Sequence, residues 1–171
     1  SFSNAVALKS YLIKNIFAEI SLEQKTTRLL QYYTDSVSLL AIDTSFNDNI
    51  VYLKLGKNIR DNSAKGFYWD LEGNYIASGN HQGDYFIYGN FAYVFKNKIR
   101  MSFTSENSSS SAPFIYSHYA SNHFLWKKSF EKETVSKRKL SFSDSKHKFS
   151  ISGEKIFIDN YVYFDSTFSP T

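Results

Sequence analysis

The stretch Ile99-Arg100-Met101-Ser102-Phe103 alternates apolar and polar side chains with a period of two. Successive side chains of a β-strand point to opposite faces of the sheet, so this pattern is typical of a half-buried strand. Similar apolar or aromatic runs occur on both sides of it, separated by Gly, Asn, Asp and Ser. We therefore expect about eight to ten short strands over residues 36–171, in an antiparallel sheet that is strongly curved or closed into a barrel.

The same reading places turns between the strands, because Gly and Asn tolerate the backbone angles that turns require. The expected turns are at residues 47–49, 72–74, 79–83, 96–98 and 152–154. The serine-rich residues 105–112 are expected to form an exposed loop, since strand-like patterns resume after them.

The first 35 residues have a different pattern. Val6, Leu8, Leu12, Ile16 and Ile20 recur at roughly helical spacing among good helix formers. Asn4 is a suitable N-cap, and Ser21 with Gln24 has the spacing of a capping box, which indicates a second helical segment. An amphipathic helix in one or two segments is therefore predicted over residues 4–34. The expected fold is α+β, with one domain (1–171) divided into a helical region (1–35) and a β region (36–171).

Composition excludes several classes of protein. The chain has 171 residues, no cysteine and a net charge of +4, and 18% of its residues are aromatic. The absence of cysteine rules out disulfides, thiol nucleophiles and thiolate metal sites. There is no run of about 18 apolar residues and no signal-peptide pattern. The chain begins without Met, so we expect a processed or excised chain, with a membrane anchor in the full-length protein left open.

The strongest local signal is Gly66-Phe67-Tyr68-Trp69-Asp70-Leu71-Glu72-Gly73-Asn74-Tyr75-Ile76. One interpretation is a hairpin stabilised by aromatic cross-strand pairs. The other is the wall of a ligand pocket, in which Tyr68, Trp69 and Tyr75 supply flat apolar area and Asp70 a directed hydrogen bond.

A second aromatic series follows, with the same two interpretations. As a binding site, its tyrosine hydroxyls and a guanidinium would surround a small anionic or amphipathic ligand. The candidate ligand-binding residues in this series are Tyr85, Tyr88, Tyr93, Arg100 and His118.

The sequence offers little for catalysis, and the chain is expected not to be an enzyme. It contains no His-Glu-x-x-His, no Gly-x-Ser-x-Gly and no phosphate-binding glycine loop, so neither a metal site nor a cofactor is expected. A small hydrolase using Asp70 and a histidine is the enzyme alternative. The basic segment 127–148 reads as a solvated hairpin with edge lysines, the alternatives being contact with anionic lipid or nucleic acid, and nucleic acid is not expected as a partner.

Two resemblances bear on function. The predicted helix leading into Leu39-Leu40-Ala41-Ile42-Asp43, together with Tyr68-Trp69-Asp70-Leu71-Glu72-Gly73-Asn74-Tyr75, is similar to the periplasmic Cache or PAS-like sensor domains of bacterial receptors. This resemblance implies ligand sensing on one face of a central sheet. The Trp69-Asp70-Leu71 hairpin and the closing segment 151–164 also resemble the calycin-like ToxS and VtrC group, periplasmic partners of membrane-bound transcription regulators. That resemblance implies a barrel that pairs with a regulator and holds an amphipathic ligand.

The first functional hypothesis is thus a non-catalytic, extracytoplasmic sensory domain of a bacterial membrane signalling protein. An unknown small ligand would shift the helix at residues 4–34, which would relay the signal to the inner membrane and could also form a homodimer. The alternative is a calycin-like barrel that acts through protein–protein interaction with a regulator. Both place the chain in the periplasm, tethered to the inner membrane.

Overall fold

The protein is almost entirely β-structure. The computed structural model describes residues 1–13, 15–35, 38–57, 65–95, 99–120, 125–165 and 170. Eight antiparallel strands form one sheet in the order β1-β2-β3-β4-β5-β6-β9-β10, and β7 with β8 forms a separate two-stranded ribbon. The strands are β1 (Phe2–Ile13), β2 (Ile16–Asp35), β3 (Ser38–Lys57), β4 (Gly66–Gly79), β5 (Tyr85–Val94), β6 (Ile99–Ser110), β7 (His118–Ala120), β8 (Leu125–Lys127), β9 (Glu133–Asp144) and β10 (Phe149–Asp159).

The predicted N-terminal helix is wrong, and with it the α+β class. Residues 2–35 form the β1–β2 hairpin, in which Leu8 pairs with Ile20 and Val6 with Leu22. The turn between the strands includes Asn15 with a positive φ of 75°, a conformation that Asn tolerates. The apolar residues taken as helical are separated by two or four positions, spacings that also fit one face of a strand. The antiparallel sheet itself is confirmed.

The strands are longer than expected because several predicted turns lie inside them. Residues 47–49 are within β3, 72–74 within β4 and 152–154 within β10, while most of the expected loop 105–112 belongs to β6. The turn at 79–83 is confirmed: Gly79 and Gly83 have positive φ values of 120° and 82°. The expected turn at 96–98 lies outside the described residues. In this protein, Asn, Ser and Gly therefore occur inside strands as often as at points where the chain reverses direction.

The connections differ at the two ends of the sheet. At the lower end, β1 meets β2 and β9 meets β10 through tight turns, while eight residues separate the end of β3 from the start of β4. At the upper end, 20-residue strands β2 and β3 form a long hairpin, and residues 111–132 leave the sheet to form α1 (Phe114–Ser117), β7 and β8. Within the described ranges, α1 is a four-residue turn, and no helix is long and apolar enough to span a membrane.

The strand register gives the sheet two chemically different faces. The apolar face is defined by Leu53 and the residues on its side of the sheet, and large apolar or aromatic side chains occupy it across the middle of the sheet: Val6, Leu8, Ile20, Leu22, Val51, Leu53, Leu55, Phe67, Trp69, Leu71, Tyr75, Tyr85, Ile87, Phe91, Tyr93, Met101, Phe103, Leu140, Phe142, Phe149 and Ile151. The polar face is defined by Lys54 and the residues on its side. It carries Glu, Asp, Lys, Ser, Thr and Asn at the corresponding levels.

Burial is the reverse of what a water-soluble sheet shows. On the apolar face, Leu53 is 48% exposed, Ile87 54% and Leu140 59%. The buried hydrophobic side chains of the sheet lie on the polar face, near its two ends: Phe46, Ile50, Tyr68, Ala92 and Val94. A monomer in water seldom leaves so large a contiguous apolar surface uncovered.

Candidate functional site

A row of charged side chains crosses the polar face from β1 to β9. Each member lies directly opposite the next in the strand register, in the order Lys9, Glu19, Lys54, Glu72, Tyr88, Glu106 and Lys137. Opposite charges therefore alternate, with Tyr88 as a neutral spacer between two carboxylates. We call these residues the charged row.

Ion pairs connect neighbours in the charged row. Lys9 Nζ lies 3.5 Å from Glu19 Oε2, Lys54 Nζ 3.0 Å from Glu72 Oε2, and Lys137 Nζ 2.8 Å from Glu106 Oε1. Asp70 lies two residues from Glu72, towards the lower end of β4. Its Oδ1 accepts a hydrogen bond from Asn90 Nδ2 at 2.7 Å. The middle of the polar face is therefore strongly hydrophilic but nearly balanced in charge along this row.

A depression of about 230 Å³ opens on the polar face beside the charged row. It lies over β2 to β5, and its lining combines two carboxylates, one ammonium, one amide and two aromatic rings: Glu19, Glu72, Lys54, Asn74, Tyr52 and Phe86. Tyr52, Asn74 and Phe86 are register partners in successive strands, so the amide lies between the two rings.

At the upper end, Asp84 joins the β4–β5 turn to the segment that leaves the sheet. Its carboxylate accepts hydrogen bonds from Ser111 N and Ser111 Oγ, both at 2.8 Å, and pairs with Lys132 Nζ at 2.9 Å. Lys132 also donates to Gln82 O at 2.6 Å. Asp84 is only 9% exposed, so these donors replace the water that its charge has lost.

A second buried carboxylate, Asp48, holds the same turn from the β3 side. His81 N donates to Asp48 Oδ1 at 3.0 Å, and His81 Nδ1 lies 2.7 Å from Asp48 Oδ2. Burial raises the pKa of Asp48, but the hydrogen bonds and charge of His81 outweigh it and hold that pKa below its usual value. The Phe46 ring lies tilted against the His81 ring, with centroids 5.7 Å apart, and also contacts the Phe114 ring of α1, so α1 packs towards the polar face.

Alternation in the strands divides the sequence-predicted ligand residues between the two faces. Tyr68, Asp70, Tyr88 and Arg100 lie on the polar face. Asp70 and Tyr88 are close enough there to interact electrostatically. Tyr68 is buried near the lower end, where the Lys57 ammonium lies over its ring at 5.8 Å from the centroid.

The other predicted residues do not join them. Trp69, Tyr75, Tyr85 and Tyr93 are on the apolar face. His118 begins β7, and its side chain lies outside what the structure describes. The predicted wall of Tyr68, Trp69 and Asp70 is therefore split, because adjacent residues of one strand point in opposite directions.

Sequence reasoning missed the residues that give the polar face its character. Glu19 lies in the predicted helix, Glu72 in a predicted turn and Glu106 in the predicted serine-rich loop, and the pattern around Lys54 indicates only a strand. The signal that would have found them is the alternation of polar and apolar residues in 18–23, together with the single charge of Lys54 between two leucines in 53–55. The basic segment 127–148 is likewise divided, since Lys137 and Lys139 are on the polar face and Arg138 is on the other.

No group of three or more metal-ligating side chains occurs in the part of the chain that the structure describes.

The whole chain, residues 1–171, matches the model of a protein family described as "Putative porin". No curated protein and no solved structure matches the chain significantly. The family match gives no support to the resemblances to Cache, PAS-like, ToxS or VtrC proteins, and none to a tether in the inner membrane. It agrees with the antiparallel β-structure and with an extracytoplasmic location. The chain belongs to this porin family.

Proposed function

We propose that the eight-stranded sheet forms part of the wall of an outer-membrane pore, with its apolar face against lipid and its polar face towards an aqueous passage for small solutes. The observation that carries this proposal is the exposed apolar face opposite the charged row. In membrane barrels, strands alternate between lipid-facing apolar and lumen-facing polar side chains. The exposed leucines and phenylalanines then require no protein partner, because acyl chains cover them.

The dimensions of the apolar face support this assignment. In β5, its residues run from Tyr85 through Ile87, Gly89 and Phe91 to Tyr93. Nine residues is about the length of a tilted transmembrane strand, and tyrosines at both ends match the aromatic girdles at the two membrane interfaces. Gly89 leaves no gap in this surface, because Leu71 and Phe91 approach within about 3.1 to 3.3 Å of the Cβ position it lacks.

The slant of the apolar surface supports it independently. The apolar stretch is centred near Leu8 in β1 and on Leu53 in β3. These two residues belong to one row of register partners across the sheet, and the row ends at Phe157 in β10. In β10 the apolar stretch is centred on Ile151 instead, six residues from Phe157. This drift is nearly one residue per strand, or about 3 Å for each strand spacing of about 4.8 Å. The resulting tilt of roughly 30° approaches the ~35–45° of membrane barrels.

The two ends of the sheet suggest its orientation. Outer-membrane barrels have short periplasmic turns and longer extracellular loops. We therefore place the tight β1–β2 and β9–β10 turns on the periplasmic side. The long β2–β3 hairpin and residues 111–132 then lie at the extracellular mouth.

The sensory hypothesis has lost its structural basis. It required a helix at residues 4–34 to relay ligand binding or to form a homodimer, and that segment is a hairpin of the sheet. A calycin-like partner of a regulator remains an untested alternative, but it leaves the apolar face exposed to water. The proposed passage involves no bond-making step, cofactor or metal.

Accessibility labelling of the full-length protein tests the proposal. The chain has no cysteine, so single cysteines at Met101 and Ser102 can carry a fluorescent label without background. These neighbours face opposite sides of β6. In lipid vesicles, we expect a label at 101 to be quenched by a lipid-soluble quencher and a label at 102 by aqueous iodide. Equal iodide quenching at both sites would contradict the proposal, as would a lack of ion conductance in planar bilayers.

A further inference from the structure

The depression over β2 to β5 has a chemistry that selects among solutes. At about 230 Å³ it is large enough for one six-membered sugar ring and too small for an oligomer. Tyr52 and Phe86 stand two strands apart, at roughly 10 Å, with Asn74 between them. A flat solute held between these rings would present its edge to the amide, which offers both donors and an acceptor.

The charges that line the depression are held in ion pairs. Lys54 lies opposite Glu19 in the register and 3.0 Å from Glu72, and Glu19 has a second cation, Lys9, at 3.5 Å. A cationic solute would meet the Lys54 ammonium, while an anionic one would meet two carboxylates. Carboxylates and ammonium groups remain good acceptors and donors for hydroxyls, so neutral solutes with many hydroxyl groups meet no like-charge repulsion.

The Tyr52 ring borders the depression, and its side chain is half-buried. The Glu23 carboxylate lies near its hydroxyl, outside the lining of the depression. Because the ring is already partly buried, it needs less further ordering when a solute stacks against it, which reduces the entropic cost of binding.

We propose that this depression is a binding site for a neutral polyhydroxylated solute about the size of one sugar ring. This inference rests on the proposed function in one respect: the aqueous passage is the route by which the solute reaches the depression. The passage would then contain a binding site at which aromatic faces and ion-paired charges favour sugars over small ions.

The test is calorimetric titration of the full-length protein in detergent micelles with glucose, glucosamine and glucuronate, which share the six-membered ring and differ in charge. We expect glucose to bind more tightly than its cationic and anionic relatives. Tyr52→Ala and Phe86→Ala should each weaken glucose binding roughly tenfold, the loss of one good ring contact. Tyr75→Ala, on the opposite face of the neighbouring strand, is the matched control and should leave binding unchanged.

Absence of glucose binding would overturn the inference, as would tighter binding of either charged relative. This comparison uses the unaltered protein, so it holds even if a variant fails to fold. Bilayer recordings separate the two proposals. Conductance that glucose does not reduce would overturn the sugar site and leave the pore intact. Glucose binding in micelles without conductance would overturn the pore alone.

Discussion

The two faces of one sheet show how differently the same backbone can be used. On the apolar face, side chains such as Leu53 and Ile87 are about half exposed and rely on the surroundings for contacts. On the polar face at the same level, Glu72 and Lys54 form an ion pair with each other. The side chains of the apolar face therefore depend on an apolar surrounding phase for their contacts. Those of the polar face find their partners within the chain.

A charge on the apolar face should produce the largest effect. Phe103 lies on the apolar face of β6 opposite Phe91, between the levels of the two tyrosines that end the apolar stretch of β5. Phe103→Lys should destabilise the membrane-folded protein by about 2–4 kcal/mol, as expected for a cation near the bilayer midplane. Urea unfolding of full-length protein in lipid vesicles measures this difference.

Ser102→Lys, one residue away on the polar face, is the control and should cost less than about 1 kcal/mol. Equal destabilisation by the two substitutions would remove the distinction between the faces.

The next largest effect is expected from replacing a buried carboxylate at the upper end of the sheet, where the polar face meets the loops. Asp84→Ala leaves Ser111 N–H and the Lys132 ammonium without their acceptor, and each such loss costs about 1–3 kcal/mol. We expect residues 111–132 to become sensitive to protease added from outside, while the sheet stays folded. The exposed carboxylate Asp159, at the same end of the sheet, provides the control when changed to Ala.

Acid should loosen the same region through Asp48. The pKa of this carboxylate in the folded state is below the ordinary value of 3.8, so its stabilising effect is fully present above that pH and is lost as the pH falls below it. The protection factors of the 79–83 turn, which correct hydrogen-exchange rates for the pH dependence of intrinsic exchange, should therefore fall in acid. Asp48→Asn should be less stable at neutral pH and should show a weaker acid response. An unchanged acid response in the variant would assign the effect to another group.

The smallest effect is expected within the charged row. Lys54 and Glu72 are each nearly half exposed, and exposed ion pairs contribute about 0–1 kcal/mol. A double-mutant cycle of Lys54→Gln and Glu72→Gln should give a coupling in that range that shrinks in high salt. A coupling of several kcal/mol would mean that the row determines stability rather than the character of the passage.

Sequence reasoning predicted the antiparallel sheet because runs such as residues 99–103 alternate without interruption. It failed at residues 4–34 because Leu12, Ile16 and Ile20 are four apart, a spacing that strands and helices share. It also assumed that apolar side chains face a protein core. That assumption turned Tyr75, Tyr85 and Tyr93 into ligand-binding candidates, whereas their positions fit a membrane interface.

The charged row could not be predicted from single strands. Its members lie between 9 and 137 in the sequence, and only the register of seven strands brings them into line. Asp70 and Tyr88, predicted as ligand-binding residues, lie near each other on the polar face, but which other residues join them depends on how the strands pair. A shift of one residue in any pairing would have exchanged the faces.

The alternation of side chains also bears on how the chain reaches its destination. The apolar runs in and next to β4 and β5 are short, and the longest, Phe91–Phe95, has five residues, far fewer than the roughly 20 of a membrane-spanning helix. Export machinery that recognises uninterrupted apolar segments as membrane anchors finds none in this chain. The lipid-compatible surface comes into existence only when the strands pair, so the polypeptide can traverse one bilayer unretained before it folds into another.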